Sequence, residues 1–304
     1  MKLRYFVLFF GWLLSLAVQA QNADPTQRAS NGRDPARLNL ASVNALVMDM
    51  DHKQVLFAKN PDAVVPIASV SKLMTVMVAL DANQPLDEVL PIKIDQTKEL
   101  KGVFSRVRVG SQLTRKEIIL LTLMSSENRA AATLAHHYKF GYAKFIDAMN
   151  KKAKDLGLKG TQFVEPTGLS YSNVSTARDL AKLVQTAAKY PLIRQSSTTA
   201  KKDTRFKKPN YSLAFYNTNP LVRNNKWDIK LSKTGFNNKA GHCLVMLTEI
   251  DDRQVAVVLL DSFGKRSHVG DAARVKQWLE TGKGGTVPTE AKNYERRKNR
   301  LSAT

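Results

Sequence analysis

Cysteine is almost missing from this chain: 304 residues contain one, Cys243. That excludes an intramolecular disulfide framework and any zinc or iron–sulfur site built from several cysteines. Acidic residues are scarce as well, 26 against 47 Lys and Arg, which leaves a formal charge of +21. A balance this basic attracts polyanions: nucleic acid, anionic lipid or an anionic cell-wall polymer. The basic clusters Lys201-Lys202, Arg205-Phe206-Lys207-Lys208 and Arg296-Arg297-Lys298 carry few interleaved aromatics and match no nucleic-acid module, so nucleic acid is not expected as a partner. Proline and glycine, 11 and 15, are too few for a collagenous or low-complexity chain. With 43% hydrophobic residues the chain can bury the core of one large or two ordinary domains.

Long apolar runs are absent after the first twenty residues, so no later transmembrane helix is expected. Within those twenty, Lys2 and Arg4 precede a 14-residue apolar run from Tyr5 to Val18, closed by Val18-Gln19-Ala20. This is the pattern of a secretory signal peptide, too short to span a bilayer, with cleavage expected after Ala20. Loss of Lys2 and Arg4 with it lowers the charge from +21 to +19. Residues 21–37, polar and carrying Pro25 and Pro35, read as a linker, and order is expected from Leu38.

Val43 to Met50 and Gln54 to Ala58, separated by Asp51-His52-Lys53, read as a hairpin. From Ser69 to Ala82 the period becomes helical. Thr114-Arg-Lys-Glu117 is a capping box that opens a helix to Met124, and Ser125-Ser126 breaks it before Asn128 to Tyr138. Helical patterns follow at Tyr142 to Leu156 and Thr176 to Tyr190, then a basic, irregular stretch to Asn225. Asp228 to Thr234, Gly241 to Ile250 and Gln254 to Asp261 read as strands, and Ser267 to Glu280 as a helix stopped at Gly282. The fold class is therefore α/β: one antiparallel sheet built from both termini around a mostly helical middle.

Three motifs occur in chain order: Ser69-Val70-Ser71-Lys72, Ser126-Glu127-Asn128 and Lys233-Thr234-Gly235. At the first turn of a helix Ser69 and Lys72 share a face, where a lysine with a depressed pKa can take the serine proton. The helix N-terminus offers N–H groups to a developing oxyanion. Ser126 and Asn128, at a break between helices, supply a hydroxyl that passes a proton and an amide that holds a substrate carbonyl. Lys233 and Thr234 suit a substrate carboxylate, and Gly235 lets a substrate backbone lie close against the strand. The five histidines show no metal spacing and read as unrelated; Cys243, in an apolar strand, reads as a buried small hydrophobe.

Together the motifs resemble those of active-site serine penicillin-binding proteins and class A β-lactamases. Ile67-Ala68-Ser69-Val70-Ser71-Lys72-Leu73-Met74-Thr75, Leu123 to Asn128, Glu165-Pro166-Thr167-Gly168-Leu169, Ser175 to Leu180 and Lys233-Thr234-Gly235 look like the low-molecular-mass D-alanyl-D-alanine peptidases, and most like their periplasmic endopeptidase branch, which cuts peptidoglycan cross-links. The resemblance covers residues 38–282 as one catalytic domain with a β-lactamase/penicillin-binding-protein-like fold. It implies Ser69 as acylated nucleophile, Lys72 as base, Ser126 and Asn128 as relay and substrate contact, and Lys233 with Thr234 as carboxylate site. It further implies an oxyanion hole from the backbone N–H groups of Ser69 and Phe236. Peptidoglycan stem peptides are the implied partners, β-lactams the implied covalent inhibitors; no metal or organic cofactor is implied.

Residues 283–304 are expected to be a basic flexible tail with no apolar face, hence no membrane anchor. A D,D-carboxypeptidase and a class A-like β-lactamase are the rival enzymes. The latter needs a glutamate poised over a water, but Gly168-Leu169-Ser170 stands behind Glu165 where a Leu-Asn pair is expected, so Glu165 reads as structural. The non-enzymatic rival is a basic wall-binding protein, which has no need of a nucleophile and base.

Overall fold

Strands that are apolar on alternate residues of both phases must be covered on both faces. The computed structural model of the chain describes residues 33–224 and 226–301. The expected signal peptide, its cleavage after Ala20 and linker residues 21–32 lie outside the described residues. In chain order, β1 (Ser42–Asp49) and β2 (Gln54–Lys59) form a hairpin, and β3 (Val65–Pro66) leads through a 3-10 turn, Ala68–Ser71, into α1 (Lys72–Asp81). After β4 (Val89–Pro91) and β5 (Gln112–Thr114) come α2 (Arg115–Met124), α3 (Asn128–His136) and α4 (Tyr142–Asp155). Then follow β6 (Val174–Ser175), α5 (Ala177–Ala187), α6 (Pro191–Thr198), a hairpin of β7 (Lys201–Phe206) and β8 (Tyr211–Tyr216), and the single turn α7 (Pro220–Arg223). The chain closes with β9 (Ile229–Asn237), β10 (Gly241–Ile250), β11 (Arg253–Ser262), α8 (Ser267–Thr281) and α9 (Thr289–Leu301).

The main sheet has the order β2-β1-β11-β10-β9, antiparallel throughout. One phase of its residues, including Val47, Val257 and Leu259, packs with Val275, Trp278 and Leu279 of α8. The other phase, including Leu46, Val245, Ala256 and Val258, packs with α1 to α5 through Leu73, Val76, Leu121 and Leu180. Cys243 belongs to this second core, fully buried, its thiol pushed up to about 12 by burial. The capping box is formed as expected: Glu117 N–H donates to Thr114 Oγ1 and Thr114 N–H to Glu117 Oε2.

Three expectations need correction. Residues 191–225, expected to be irregular, hold α6, the β7–β8 hairpin and α7. The hairpin turns Thr204, Phe206 and Phe215 inward, and Phe206 stacks on Tyr211 with centroids 4.5 Å apart. Residues 33–37, expected within the linker, are tied down: Asp34 carbonyl accepts from Trp278 Nε1, and Arg33 donates to the carbonyls of Leu279 and Glu280. The expected flexible tail contains α9, which docks on β1. Ala291 and Val287 bury against Ala41, Glu295 pairs with Lys59 at 2.9 Å, and Lys298 pairs with Asp261 at 2.8 Å. Among the described residues no helix is long and apolar enough to cross a membrane.

Candidate active site

Ser69 sits in the tight turn between β3 and α1, preceded by Ala68 at a φ of 45°, a conformation that an alanine adopts only when its surroundings impose it. Two glycines make room for this turn. A Cβ on Gly168, itself at φ 79°, would stand 1.9 Å from the Ala68 carbonyl oxygen. One on Gly235 would stand 2.9 Å from the Ile67 oxygen and 3.0 Å from the Ser69 nitrogen. The sequence reading assigned Gly235 to close approach of substrate; the structure assigns that closeness to the Ile67–Ser69 backbone, which brings β9 over the Ser69 amide.

Lys72, one turn on, is fully buried. Its Nζ lies 2.8 Å from Ser69 Oγ, 2.8 Å from Asn128 Oδ1 and 2.5 Å from the Thr167 carbonyl oxygen. Burial pushes its pKa down to about 8, opposed by the charges of Glu165 and Glu127. The Thr167 carbonyl is held in place by Glu165, a buried carboxylate. Its Oε2 accepts from Thr167 N and Oγ1, both at 2.6 Å, and its Oε1 from Gly168 N at 2.6 Å, Asn173 Nδ2 at 3.1 Å and Ser170 N at 3.3 Å. Glu165 is therefore structural, as the sequence suggested.

Ser126 lies between α2 and α3 at a φ of 58°, and Glu127 caps α3 by accepting from Arg129 N. The strain and the cap together place Ser126 and Asn128 across from Ser69. Lys233 reaches Ser126 from behind: its Nζ donates to Ser126 Oγ at 2.9 Å and to the Thr234 carbonyl at 2.8 Å. Burial, then the charge of Lys72, holds its pKa well below the usual lysine range. Lys233 does not line the cleft; Thr234 does, its hydroxyl donating to Thr218 Oγ1 at 2.6 Å. Lys233 and Thr234, expected together as the carboxylate site, lie side by side: Lys233 Nζ stands beside Ser126 Oγ, and the Thr234–Thr218 hydroxyl pair forms the cleft wall.

The cleft, about 760 Å³, runs from Ser69, Ser126 and Asn128 past Thr234 to the start of α8. Phe236, more than half exposed, continues the wall by stacking on His242 with centroids 4.3 Å apart, and His242 stacks on His268 at 5.2 Å. The histidines at 242 and 268 are therefore not unrelated, a correction to the sequence reading. Sequence reasoning also missed Thr218 and the roles of Thr167 and Gly168. Thr218 bears no pattern of its own, and Thr167 and Gly168, though within the Glu165–Leu169 segment that carries the resemblance, show their roles only once the turn at Ser69 is built.

With that geometry in hand, comparison with known proteins gives one consistent result. Residues 29–264 match the family model described as D-alanyl-D-alanine carboxypeptidase. A D-alanyl-D-alanine endopeptidase of Pseudomonas aeruginosa is 54% identical over 288 residues, 94% of this chain and 92% of that protein. The Streptomyces K15 DD-transpeptidase superposes with a TM-score of 0.74 at 25% identity, over 80% of this chain and 98% of its own. Penicillin-binding protein D2 of Listeria monocytogenes, solved in its cefotaxime-bound form, superposes with a TM-score of 0.67 at 27% identity, over 81% of this chain and 98% of its own.

Proposed function

The chain belongs to the D-alanyl-D-alanine carboxypeptidase family of serine peptidases, and from that premise we propose that it is a periplasmic D-alanyl-D-alanine endopeptidase, which opens peptidoglycan cross-links through an acyl-enzyme on Ser69. The observation that carries the acyl-enzyme is the set of contacts of Lys72 Nζ. Two of its three partners, Asn128 Oδ1 and the Thr167 carbonyl, only accept. A neutral amine gives its two N–H groups to them and turns its lone pair toward the third, Ser69 Oγ, the one partner with a proton to lose. Burial favours that neutral form.

Lys72 takes the Ser69 proton as Oγ attacks the carbonyl of the D-alanyl residue. The N–H groups of Ser69 and Phe236 receive the oxyanion, a reading supported by the close packing of Gly235, the residue before Phe236, on the Ser69 nitrogen. Asn128 Nδ2 is placed to meet a substrate carbonyl, and the Thr234–Thr218 hydroxyls the carboxylate beside the scissile bond. Ser126, held by Lys233, hands a proton to the leaving amine as the C–N bond breaks and regains one from the Lys72 ammonium, leaving Lys72 neutral again; water then gives its proton to Lys72 as it attacks the acyl carbon, and Lys72 returns that proton to Ser69 Oγ as the acyl group leaves. β-Lactams enter the same route. Both oxygens of Glu165 are engaged by donors from the chain, so it does not poise a hydrolytic water, which supports a lasting penicilloyl adduct over β-lactamase turnover. The signal-peptide pattern at residues 1–20 supports export.

The test is intact mass of the mature protein after brief exposure to a penicillin, followed by digestion of cross-linked and uncross-linked muropeptides. A lasting adduct absent from Ser69→Ala, with faster cleavage of the cross-linked species, is expected. An adduct on Ser69→Ala removes Ser69 as nucleophile, and preferential release of D-alanine from monomers makes the enzyme a carboxypeptidase.

A further inference from the structure

A second cavity, about 730 Å³, lies beside the strand that leads into Ser69, and its volume is that of a small-ligand pocket. Val43 and Asn44 of β1, Val65 and Pro66 of β3, and Lys239 and Ala240 of the β9–β10 turn form its walls, bounded on one side by α9. Pro66 stands three residues before Ser69 and Lys239 three after Phe236, yet no residue lines both this cavity and the cleft.

The acids on these walls are already matched. Asp62 takes the Arg178 guanidinium at 2.7 and 3.0 Å, and Asp261 takes Lys298 at 2.8 Å and the Tyr294 hydroxyl at 2.5 Å. Asn44 and Lys239 are not. Asn44 is 3% exposed, and its side chain leaves β1 on the face of Leu46 and of its cross-strand neighbour Leu260. Its amide lines the cavity, has no hydrogen-bond partner among the described residues, and is not sealed in the packing. Buried side-chain amides without a partner are rare in folded proteins, and one that opens onto a cavity is free to meet a ligand. Lys239 spends its backbone N–H on Asn237 and its carbonyl on Lys298, while its ammonium, on an exposed turn, has no partner among the described residues.

A carboxamide presents an acceptor and two donors, which together match the N–H and C=O of one peptide unit. Around it Val43, Val65, Pro66 and Ala240 suit small apolar side chains, and Lys239 suits a carboxylate. No aromatic ring lines the cavity among the described residues, so it has no platform for the face of a sugar. We propose that this cavity is a second peptide site, which binds the carboxylate end of a short peptide with small side chains, such as the D-alanyl end of a stem peptide, apart from the catalytic cleft. The inference rests on the peptidase reading above for the source of that peptide: opening a cross-link leaves a stem that ends in a D-alanyl carboxylate. A chain held there keeps its grip on the wall while Ser69 is free to act on the next bond.

The experiment titrates acetyl-D-alanyl-D-alanine, its C-terminal amide and an N-acetylglucosamine dimer into the penicilloylated protein, in which Ser69 is blocked, and reads binding by ligand-observed NMR. The free acid is expected to bind about tenfold more tightly than the amide, the low end of what a charge-assisted hydrogen bond contributes, and the sugar dimer not at all. Asn44→Leu and Lys239→Glu should each weaken the free acid about tenfold; the second lies on an exposed turn, where a change of charge leaves the core intact. No binding to the penicilloylated protein overturns the second site and leaves the peptidase reading standing, as does equal binding of acid and amide or undiminished binding by Lys239→Glu. Tighter binding of the sugar dimer overturns the peptide assignment. If penicillin does not acylate Ser69, the peptidase reading falls, and the same titration of untreated wild type and Lys239→Glu still decides the cavity: equal binding by the two overturns it.

Discussion

On one face of the central sheet, α8 lays Val275, Trp278 and Leu279 against Val47, Val257 and Leu259, and the buried carboxylate on that side, Asp271, is met by Arg274 and by donors from Ala41 and Ser42. On the other face, toward α1, the chain buries Lys72 and Lys233, whose hydrogen-bond partners are hydroxyls, carbonyls and an amide oxygen rather than carboxylates. The first arrangement is what stability favours. The second desolvates two lysine amino groups near one another, which costs several kcal/mol for any charge left uncompensated and favours the neutral form. The contrast separates the half of the molecule that keeps it folded from the half arranged for chemistry.

The contrast breaks if Lys72 proves dispensable. Lys72→Ala is expected to slow penicillin acylation about a thousandfold, the range of a lost general base, without lowering the thermal midpoint; a rate within tenfold of wild type would show that another group takes the proton. Wild-type acylation should rise with pH and level off above about 8. Stability carries the same signature. Between about 8 and the ordinary lysine value of 10.5 the unfolded chain binds the proton that folded Lys72 has lost, so wild-type stability should climb relative to Lys72→Ala across that window and nowhere below it.

Trp278→Ala probes the opposite face. Removal of this fully buried ring should cost about 3–5 kcal/mol in denaturant unfolding, while the folded fraction is acylated at the wild-type rate. A slowed rate would mean that the two faces are coupled through the sheet. Glu165→Gln tests the border between them: loss of the charged acceptor should cost about 2 kcal/mol and also slow acylation, because the Thr167 carbonyl that orients Lys72 is released. A stability loss with unchanged acylation would confine Glu165 to the fold. The smallest effect is expected at α9, where Tyr294→Phe removes the hydrogen bond to Asp261 and should lower stability by about 1 kcal/mol with no change in acylation.

The elements that were legible in the sequence are those with a local signature: the β1–β2 hairpin with its Asp51-His52-Lys53 turn, α2 with its capping box, and α8 with Gly282 as left-handed stop. The β7–β8 hairpin was not, because β7 shows only Thr204 and Phe206 to the interior and its other residues are charged or polar as in a loop. Helix α9 was missed for a related reason. It docks through Ala291 and through Glu295 and Lys298, whose partners Lys59 and Asp261 lie far away in sequence. Of the site, the motif residues were legible by type and spacing. That Lys233 stands behind Ser126, and that His242 and His268 meet, depends on β9, β10 and α8 coming together, which no local pattern encodes.

The order of strands also bears on when this chain can fold. β11, in the middle of the sheet, pairs with β1, and Ser42 meets Ser262 across 220 residues. Until residues 253–262 have left the ribosome, β1 has only β2 to pair with, and a lone hairpin is marginal in water. The N-terminal hairpin therefore gains no stable partner until synthesis is nearly complete, which fits the export proposed above. The same topology makes truncated products easy to recognise: a chain stopped short of β11 has no central strand, exposes both apolar faces, and is open to proteolysis.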